Sequence, residues 1–369
     1  MEEKHLKHID GVGWRYDTEH SMLRRMVDHD YQSRCIYMLT LTLANRQQPL
    51  LGRLQWKSED ARGCVESKVR SSLTAALIPS PLGEKVASEW FSLCHDNPQL
   101  DLIRLQLMPD HLHVVLFVKD RIPKHLGKYI GIVKNRCNKH YWKMLTEQGL
   151  LGPKGTETPP SLFSANFQDS ILIHDGQLEA MVNYVEQNPY RALVKRENRE
   201  MFTILDNVEV GGIRFAAIGN RWLLDRGVRM QVRCHNNTTP ANLQLIARQK
   251  EYFLDRGKKG GVVVSPCISA GERMIARAAL DAGQPLIVIL ENGFSQYYKP
   301  SGKYFDACAK GLLLMLAPWP YHMEKRTITR NQCLALNEMA RTISNDPWTP
   351  QLERMLSDGQ GEWGEKKNE

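Results

Sequence analysis

The sequence predicts an α+β domain, an antiparallel sheet with helices packed on it, followed by a second domain of α/β type. Three observations carry this. Residues 31–45 and 102–118 are rich in β-branched and aromatic residues in strand-like runs. Around them lie segments with apolar residues at helical spacing. Beyond residue 200 short apolar strands alternate with helices, as in a buried parallel sheet. A length of 369 residues suits two domains.

Taken in order, residues 1–30 are polar and charged, with Trp14 and Tyr16 as isolated anchors, and read as a loosely held arm. Residues 31–45 form a strand, and a second lies near 51–56. Pro81-Leu-Gly-Glu84 opens a helix through Cys94, with Val86, Trp90 and Leu93 at helical spacing. Residues 102–118 supply two strand pieces joined at Pro109, where Met108-Pro109-Asp110 reads as a turn. Residues 122–142 form an amphipathic helix with Leu126, Ile130, Val133, Cys137 and Tyr141 on one side. Lys124, Lys128, Lys134, Arg136, Lys139 and Lys143 crowd the remainder. That basic face is either simply solvated or a surface that contacts DNA phosphates. Residues 152–161 are a loop, 163–173 a short extended piece, and His174-Asp-Gly176 a turn. A helix then covers 177–188 and is expected to stop at Pro189.

In the second domain the expected strands are 213–219, 230–234, 261–265, 285–290 and 312–317. The expected helices are 241–256, 271–282, 304–310 and 329–343. This alternation predicts a doubly wound sheet. The tail after Asp346 is expected to fray.

Hydrophobic content of 42% and charged content of 24% are those of an ordinary soluble protein. The net charge of +8 and pI near 9.0 suggest an anionic partner, of which nucleic acid is the commonest. Eight cysteines include no Cys-x-x-Cys pair, which argues against a zinc ribbon or a dithiol site and for free thiols in a reducing compartment. The segment Met-Glu-Glu-Lys-His lacks the apolar core of a secretory signal. No run reaches the roughly 18 apolar residues of a membrane span. The expected location is cytoplasmic, with no membrane partner.

The chemistry centres on residues 105–118. His111 and His113 are two apart, so on a strand they present their imidazoles on one face. They are either the start of a divalent-metal site or polar residues on the wetter face of a core strand. Tyr184 and Asn188 are four apart and share one face of a helix. Laid against the histidines, that helix would complete a metal site of His111, His113 and the Asn188 amide oxygen, with a phenol beside it. Such a set suits phosphodiester cleavage with tyrosine as nucleophile. Taken singly, Tyr184 also reads as a core or boundary residue and Asn188-Pro189 as a helix stop.

Three motifs in this order carry a resemblance: Arg34-x-x-Tyr37-x-x-Thr40-x-Thr42, Met108-Pro-Asp-His-Leu-His113 and Tyr184-Val-Glu-Gln-Asn-Pro-Tyr-Arg-Ala-Leu-Val194. Together they resemble the single-tyrosine HUH transposases, which include insertion-sequence and REP-associated tyrosine transposases, over residues 30–195. The resemblance implies a ferredoxin-like HUH domain. It implies Mg2+ or Mn2+ held by His111, His113 and Asn188, with Tyr184 as nucleophile. It also implies cutting of single-stranded DNA near a hairpin, a 5′-phosphotyrosine intermediate and a free 3′-OH. It leaves both a monomer and a homodimer open.

Residues 211–343 resemble the Rossmann-like domain of DNA-processing protein A and its SLOG relatives. There, residues 260–272 read as strand, glycine-bearing loop and helix start, where backbone amides could cradle a phosphate. Asn292-Gly-Phe294 and Pro300-Ser-Gly302 could complete a cleft. A full Gly-x-Gly-x-x-Gly fingerprint and a P-loop are both missing, so NAD or ATP binding is not supported. Two rival functions stand beside the enzyme: a catalytically silent hairpin-DNA-binding regulator, and a nucleotide sensor run by the second domain.

Overall fold

The computed structural model describes residues 6–9, 13–16, 26, 28–57, 74–152, 158–234, 239–324 and 326–357. The chain divides into two compact units, Met1–Val194 and Lys195–Glu369. The architecture is mixed, with antiparallel and mixed sheets and helices packed on them.

In the first unit, strands β1 (Leu6–Ile9) and β2 (Gly13–Tyr16) pair antiparallel, so a hairpin lies where a loose arm was expected. Then come β3 (Cys35–Thr42), β4 (Gly52–Lys57), β5 (Thr74–Pro79), α1 (Pro81–Asp96), β6 (Leu100–Met108), β7 (His111–Val118), α2 (Leu126–Glu147), β8 (Gln168–Leu172) and α3 (Gln177–Glu197). Strand β5, which the sequence did not announce, closes a hairpin with β4. The main sheet has the order β6-β7-β3-β8, with every neighbouring pair antiparallel.

The two faces of that sheet are covered by different helices. Leu112, Val114, Leu116 and Val118 of β7 and Tyr37, Leu39 and Leu41 of β3 join a core with Trp90 of α1 and Ile130 and Val133 of α2. Val115 and Met38 face the other way and pack with Leu172 and with Val185 of α3. Burial on both faces explains why β7 reads as a continuous apolar run.

Helix α1 starts where Ser80 caps it, its hydroxyl accepting from Gly83 N–H. Gly83 is required there, because a Cβ would meet the Leu51 carbonyl oxygen at 2.1 Å. Helix α3 corrects an expectation. It does not stop at Pro189 but runs through it to Glu197. An interior proline costs about 3 kcal/mol. Burial of Val185, Leu193 and Val194, at roughly 1.5–3 kcal/mol each, outweighs that cost. Pro189 itself lies in the same buried stripe.

The second unit contains β9 (Leu205–Val210), β10 (Ile213–Gly219), β11 (Arg229–Gln231), α4 (Pro240–Lys258), β12 (Val262–Ser265), α5 (Ala270–Asp281), β13 (Leu286–Ile289), α6 (Gly302–Ala309), β14 (Leu313–Ala317), α7 (Arg330–Ile343) and α8 (Pro350–Ser357). The sheet order is β11-β12-β13-β14-β10-β9. Strands β11 to β14 are parallel, and β10 is antiparallel to β14 and to β9.

The doubly wound expectation is not met. The parallel strands succeed one another in chain order without a reversal. Crossovers of one hand then place every connecting helix on one face. Tyr252 and Phe253 of α4, Ile275 of α5 and Cys308 of α6 do share one core, with Val263, Val288 and Met315. The opposite face is covered by α7, through Leu336, Ala340 and Ile343.

The tail is not wholly frayed either: α8 inserts Leu356, 3% exposed, into the core beneath α4. Among the described residues no helix is long and apolar enough to cross a membrane.

Leu356→Ala is expected to destabilise the second unit by about 2–4 kcal/mol. The matched change at Leu334, 55% exposed on α7, is expected to alter stability by no more than about 0.5 kcal/mol. Urea unfolding of the full chain compares the two.

Candidate active site

His111 opens β7 and His113 follows on the same face, because strand side chains alternate. Their ring centroids are 4.9 Å apart and nearly perpendicular, at 84°. Across β3, Thr42 stands opposite His111 and Thr40 opposite His113. Across β6, Met108 and Gln106 occupy the matching positions.

Each ring is held by its Nδ1 atom. His111 Nδ1 lies 2.6 Å from Asp110 Oδ1. An ionised carboxylate only accepts, so His111 donates Nδ1–H to it. Asp110 is fixed in turn by Arg46, whose Nε donates to Oδ2 at 2.8 Å. The His111 hydrogen bond, with Arg46 adding to it, brings the Asp110 carboxyl down to about 2. His113 Nδ1 lies 2.9 Å from Thr40 Oγ1. Thr40 can direct its hydroxyl proton to Met38 Sδ, 3.6 Å away, and accept Nδ1–H from His113. Burial first, and the neighbouring His111 second, lower the His113 pKa to about 4. This ring is therefore neutral at physiological pH.

The Tyr184 ring comes to 6.3 Å from the His113 ring, centroid to centroid, at 70°. Tyr184 is 45% exposed, so its phenol is not a core group. It is brought there by α3, which rides on the Val115–Met38–Leu172 face through Val185. An ion pair between Arg104 and Glu186 at 3.0 Å also spans strand and helix. Both partners are nearly half exposed, so the pair contributes only about 0–1 kcal/mol and the apolar contact does the holding.

Asn188 lies one turn after Tyr184. Because α3 continues past it, Asn188 is mid-helix, which removes its reading as part of a helix stop. Its Nδ2 is buried and has no hydrogen-bond partner. Nδ2 is a donor, so only an acceptor could satisfy it; a cation would be taken by the amide oxygen of the same side chain.

These observations fit a divalent cation. Both Nδ1 atoms are engaged, so on each ring Nε2 is the nitrogen left over, and an imidazole oriented through its other nitrogen is the usual ligating arrangement. The Asn188 side chain, one turn from Tyr184, would be the source of an amide oxygen. Among the described residues no group of three or more His, Cys, Asp or Glu is placed to hold a metal.

The basic residues of α2 are arranged differently from the expected phosphate surface. Lys134 Nζ donates to the carbonyls of Ser164 and Ala165, the latter at 2.8 Å, and burial lowers its pKa. Arg136 is paired with Asp96 at 3.1 Å. Lys128, and Lys124 just before the helix, are exposed. Helix α2 packs on the sheet face opposite the imidazoles. Thr40, Asp110 and Arg46, which support the site, were not assigned roles from sequence. Asp110 had passed as a turn residue; its position directly before His111 was the available signal.

The second unit answers the phosphate-cradle expectation. The loop before α5 is closed from within: Glu272 accepts from Ile268 N–H at 2.7 Å and from Ser269 N–H at 3.0 Å. Glu272 is itself buried, 2% exposed. An internal carboxylate thus occupies the seat that a phosphate would take. Cys267 in this loop has φ +52°, an uncommon conformation for a residue other than glycine. Arg273 props it by donating to the Cys267 and Ile268 carbonyls. Asn292, expected at a cleft, holds the β14–α7 connection through the His322 backbone.

Cys64 lies outside the described residues; the other seven cysteines are free. Burial pushes the thiols of Cys137, Cys234 and Cys308 up to about 12 and those of Cys94 and Cys267 to about 11, so these five are not thiolate nucleophiles.

No protein-family model matches the chain, and no curated protein matches it. Among solved structures, the chain is similar to a REP-associated tyrosine transposase bound to a REP hairpin. Identity is 12%, the match covers 44% of this chain and 72% of that one, and the TM-score is 0.29. It is similar to DNA processing protein A from Helicobacter pylori, described for its single-stranded DNA binding mode. There identity is 16%, coverage 42% and 74%, and the TM-score 0.29. A Deinococcus radiodurans protein assigned as a transposase matches at 14% identity, with coverage of 43% and 94% and a TM-score of 0.25. At these TM-scores the similarities carry no argument; function rests on the geometry of the site.

The pKa displacements set two acid windows for the metal-free protein. His113 has a folded pKa of about 4 against an ordinary 6.5, so its unfolded form binds the extra proton. Stability from this group is complete above 6.5 and declines as pH falls towards 4. Asp110 acts lower, between 3.8 and about 2. Urea unfolding in a chelator at pH 7, 5.5 and 4.5 should show the first loss, and His113→Gln should flatten it.

Proposed function

We propose that the first unit is a metal-dependent enzyme that cuts and rejoins single-stranded DNA, a transposase-type strand transferase with Tyr184 as nucleophile. One observation carries the reading. A half-exposed phenol from a late helix comes within 6.3 Å of a buried, neutral imidazole that is paired with a second one.

His111, His113 and the amide oxygen of Asn188 would hold Mg2+ or Mn2+. When bound, such an ion polarises a non-bridging phosphate oxygen and neutralises charge that builds in the transition state. The remaining work belongs to the chain. Tyr184 Oη attacks phosphorus and forms a phosphotyrosine bond, while the bond from phosphorus to the 3′-oxygen breaks. The phenolic proton passes to solvent, to which Tyr184 is open, and the departing 3′-oxygen takes a proton from water. The 5′-phosphotyrosine keeps the bond energy of the phosphodiester, so a later 3′-OH can attack it and release Tyr184. Asp110 and Thr40 hold the two imidazoles in one orientation throughout. The net charge of +8 supports a polyanionic substrate. A hairpin near the cleavage point and cytoplasmic action belong to the same reading, as does either a monomer or a homodimer.

Tyr184→Phe should abolish the covalent protein–DNA adduct formed with labelled single-stranded DNA and Mn2+, and leave DNA affinity largely intact. An adduct that persists in the Phe variant removes Tyr184 from the chemistry. A wild-type chain that binds hairpin DNA but forms no adduct is instead a silent regulator. Thr40→Val, which deletes the His113 support, should weaken Mn2+ binding by about 10–100-fold; titration of the DNA-free protein followed by Mn2+ electron paramagnetic resonance measures this.

A further inference from the structure

Arg46 lies in the loop after β3, and its side chain is mostly exposed. That loop is built onto the turn between β6 and β7. Leu43 N–H donates to the Asp110 carbonyl at 2.9 Å, and Leu51 N–H donates to the Pro109 carbonyl at 3.2 Å. Within the loop, Gln47 N–H donates to Asn45 Oδ1 at 3.0 Å. The backbone thus delivers the guanidinium to Asp110, where Nε and Nη2 both lie 2.8 Å from Oδ2. The other carboxylate oxygen takes Nδ1–H of His111. One carboxylate therefore holds a guanidinium on one oxygen and a candidate metal ligand on the other.

Side-chain exposure falls along this chain, from 62% at Arg46 to 22% at Asp110 and 19% at His111. An ion pair with so exposed a partner adds little to stability. Its geometry is nevertheless defined, and only two N–H groups of the guanidinium are used. Nη1 takes no part in that contact, and the side chain as a whole is mostly exposed. Three other cations near the sheet have partners of their own. Arg104 is tied to Glu186 of α3, and Lys134 and Arg136 belong to the helix on the far face.

We propose that Arg46 is the substrate-anchoring residue of the site. It takes a backbone phosphate of single-stranded DNA on its open N–H groups while Asp110 pins it to the turn that carries His111. This rests on the cleavage reading above. A planar guanidinium matches a phosphate with two parallel hydrogen bonds, which an ammonium cannot do. Asp110 keeps the fork preorganised and stops it from swinging towards the cation site. The same carboxylate thereby places the anchored phosphate and the ligating imidazole in one frame.

The test uses the full chain and two readouts. Fluorescence anisotropy with a labelled single-stranded hairpin DNA, in a chelator, gives affinity as a function of salt. Electron paramagnetic resonance of Mn2+ gives metal affinity without DNA. Arg46→Ala should weaken DNA binding about tenfold and reduce the salt slope by about 0.7, the value for one phosphate on a single strand. Its Mn2+ affinity should fall far less than that of Asp110→Asn. Arg46→Lys should keep the slope and recover only part of the affinity. Asp110→Asn should lose Mn2+ affinity by about 10–100-fold. An unchanged salt slope in Arg46→Ala overturns the proposal. So does a loss of Mn2+ affinity as large as that of Asp110→Asn, which would make Arg46 only a prop for the carboxylate. A wild-type chain without adduct would sink the cleavage reading and leave this DNA-binding result standing.

Discussion

The period-two alternation of β7, a strand buried on both faces, is the constraint on which the first unit depends. Leu112, Val114 and Leu116 must enter the core under α1 and α2, because they have nowhere else to go without exposing apolar surface. That choice forces His111, His113 and Val115 to the opposite face. A slip of one residue would bury both imidazoles in the main core. Register is therefore set by leucines and valines, and the polar pair is carried along with it.

A polar site on a covered sheet face has an electrostatic cost, and the structure shows how it is met. His113 is buried, so it is kept neutral, and its Nδ1 finds Thr40. His111 is less buried and meets a carboxylate instead. What is left without a partner is one amide group of Asn188. That group is an N–H donor and calls for an acceptor, so the reason to look for a cation there is the pair of imidazoles held by Nδ1 with Nε2 left over.

The second unit shows the opposite outcome at a place where a ligand might have been expected. Its loop before α5 has the glycine-bearing form of a phosphate cradle, yet Glu272 turns back and takes the loop amides. Ser269 completes a reciprocal cap with it. The parallel strands advance in one direction, so there is no reversal between them to open the crevice where doubly wound sheets bind ligands. This unit is a closed α/β body at that edge.

Much of this was legible in the chain because it depends on short-range periodicity. The strands at 213–219, 261–265 and 312–317 and the helices at 241–256 and 329–343 announce themselves by the spacing of their apolar residues. The shared face of His111 and His113, and that of Tyr184 and Asn188, follow from the same two periods. Other features depend on partners distant in sequence. Pro189 reads locally as a stop, but a buried stripe across it keeps α3 going. Leu356 reads as tail until α4 offers it a core. The winding of the second sheet is set by which strands pair, which no local pattern encodes. The amino-acid order by itself determined which side chains share a face. Only the tertiary structure decided which faces meet: that α3 lies over the imidazoles, that Arg46 reaches Asp110, and that α2 lies on the far side. Such meetings are settled by competition among long-range contacts for burial.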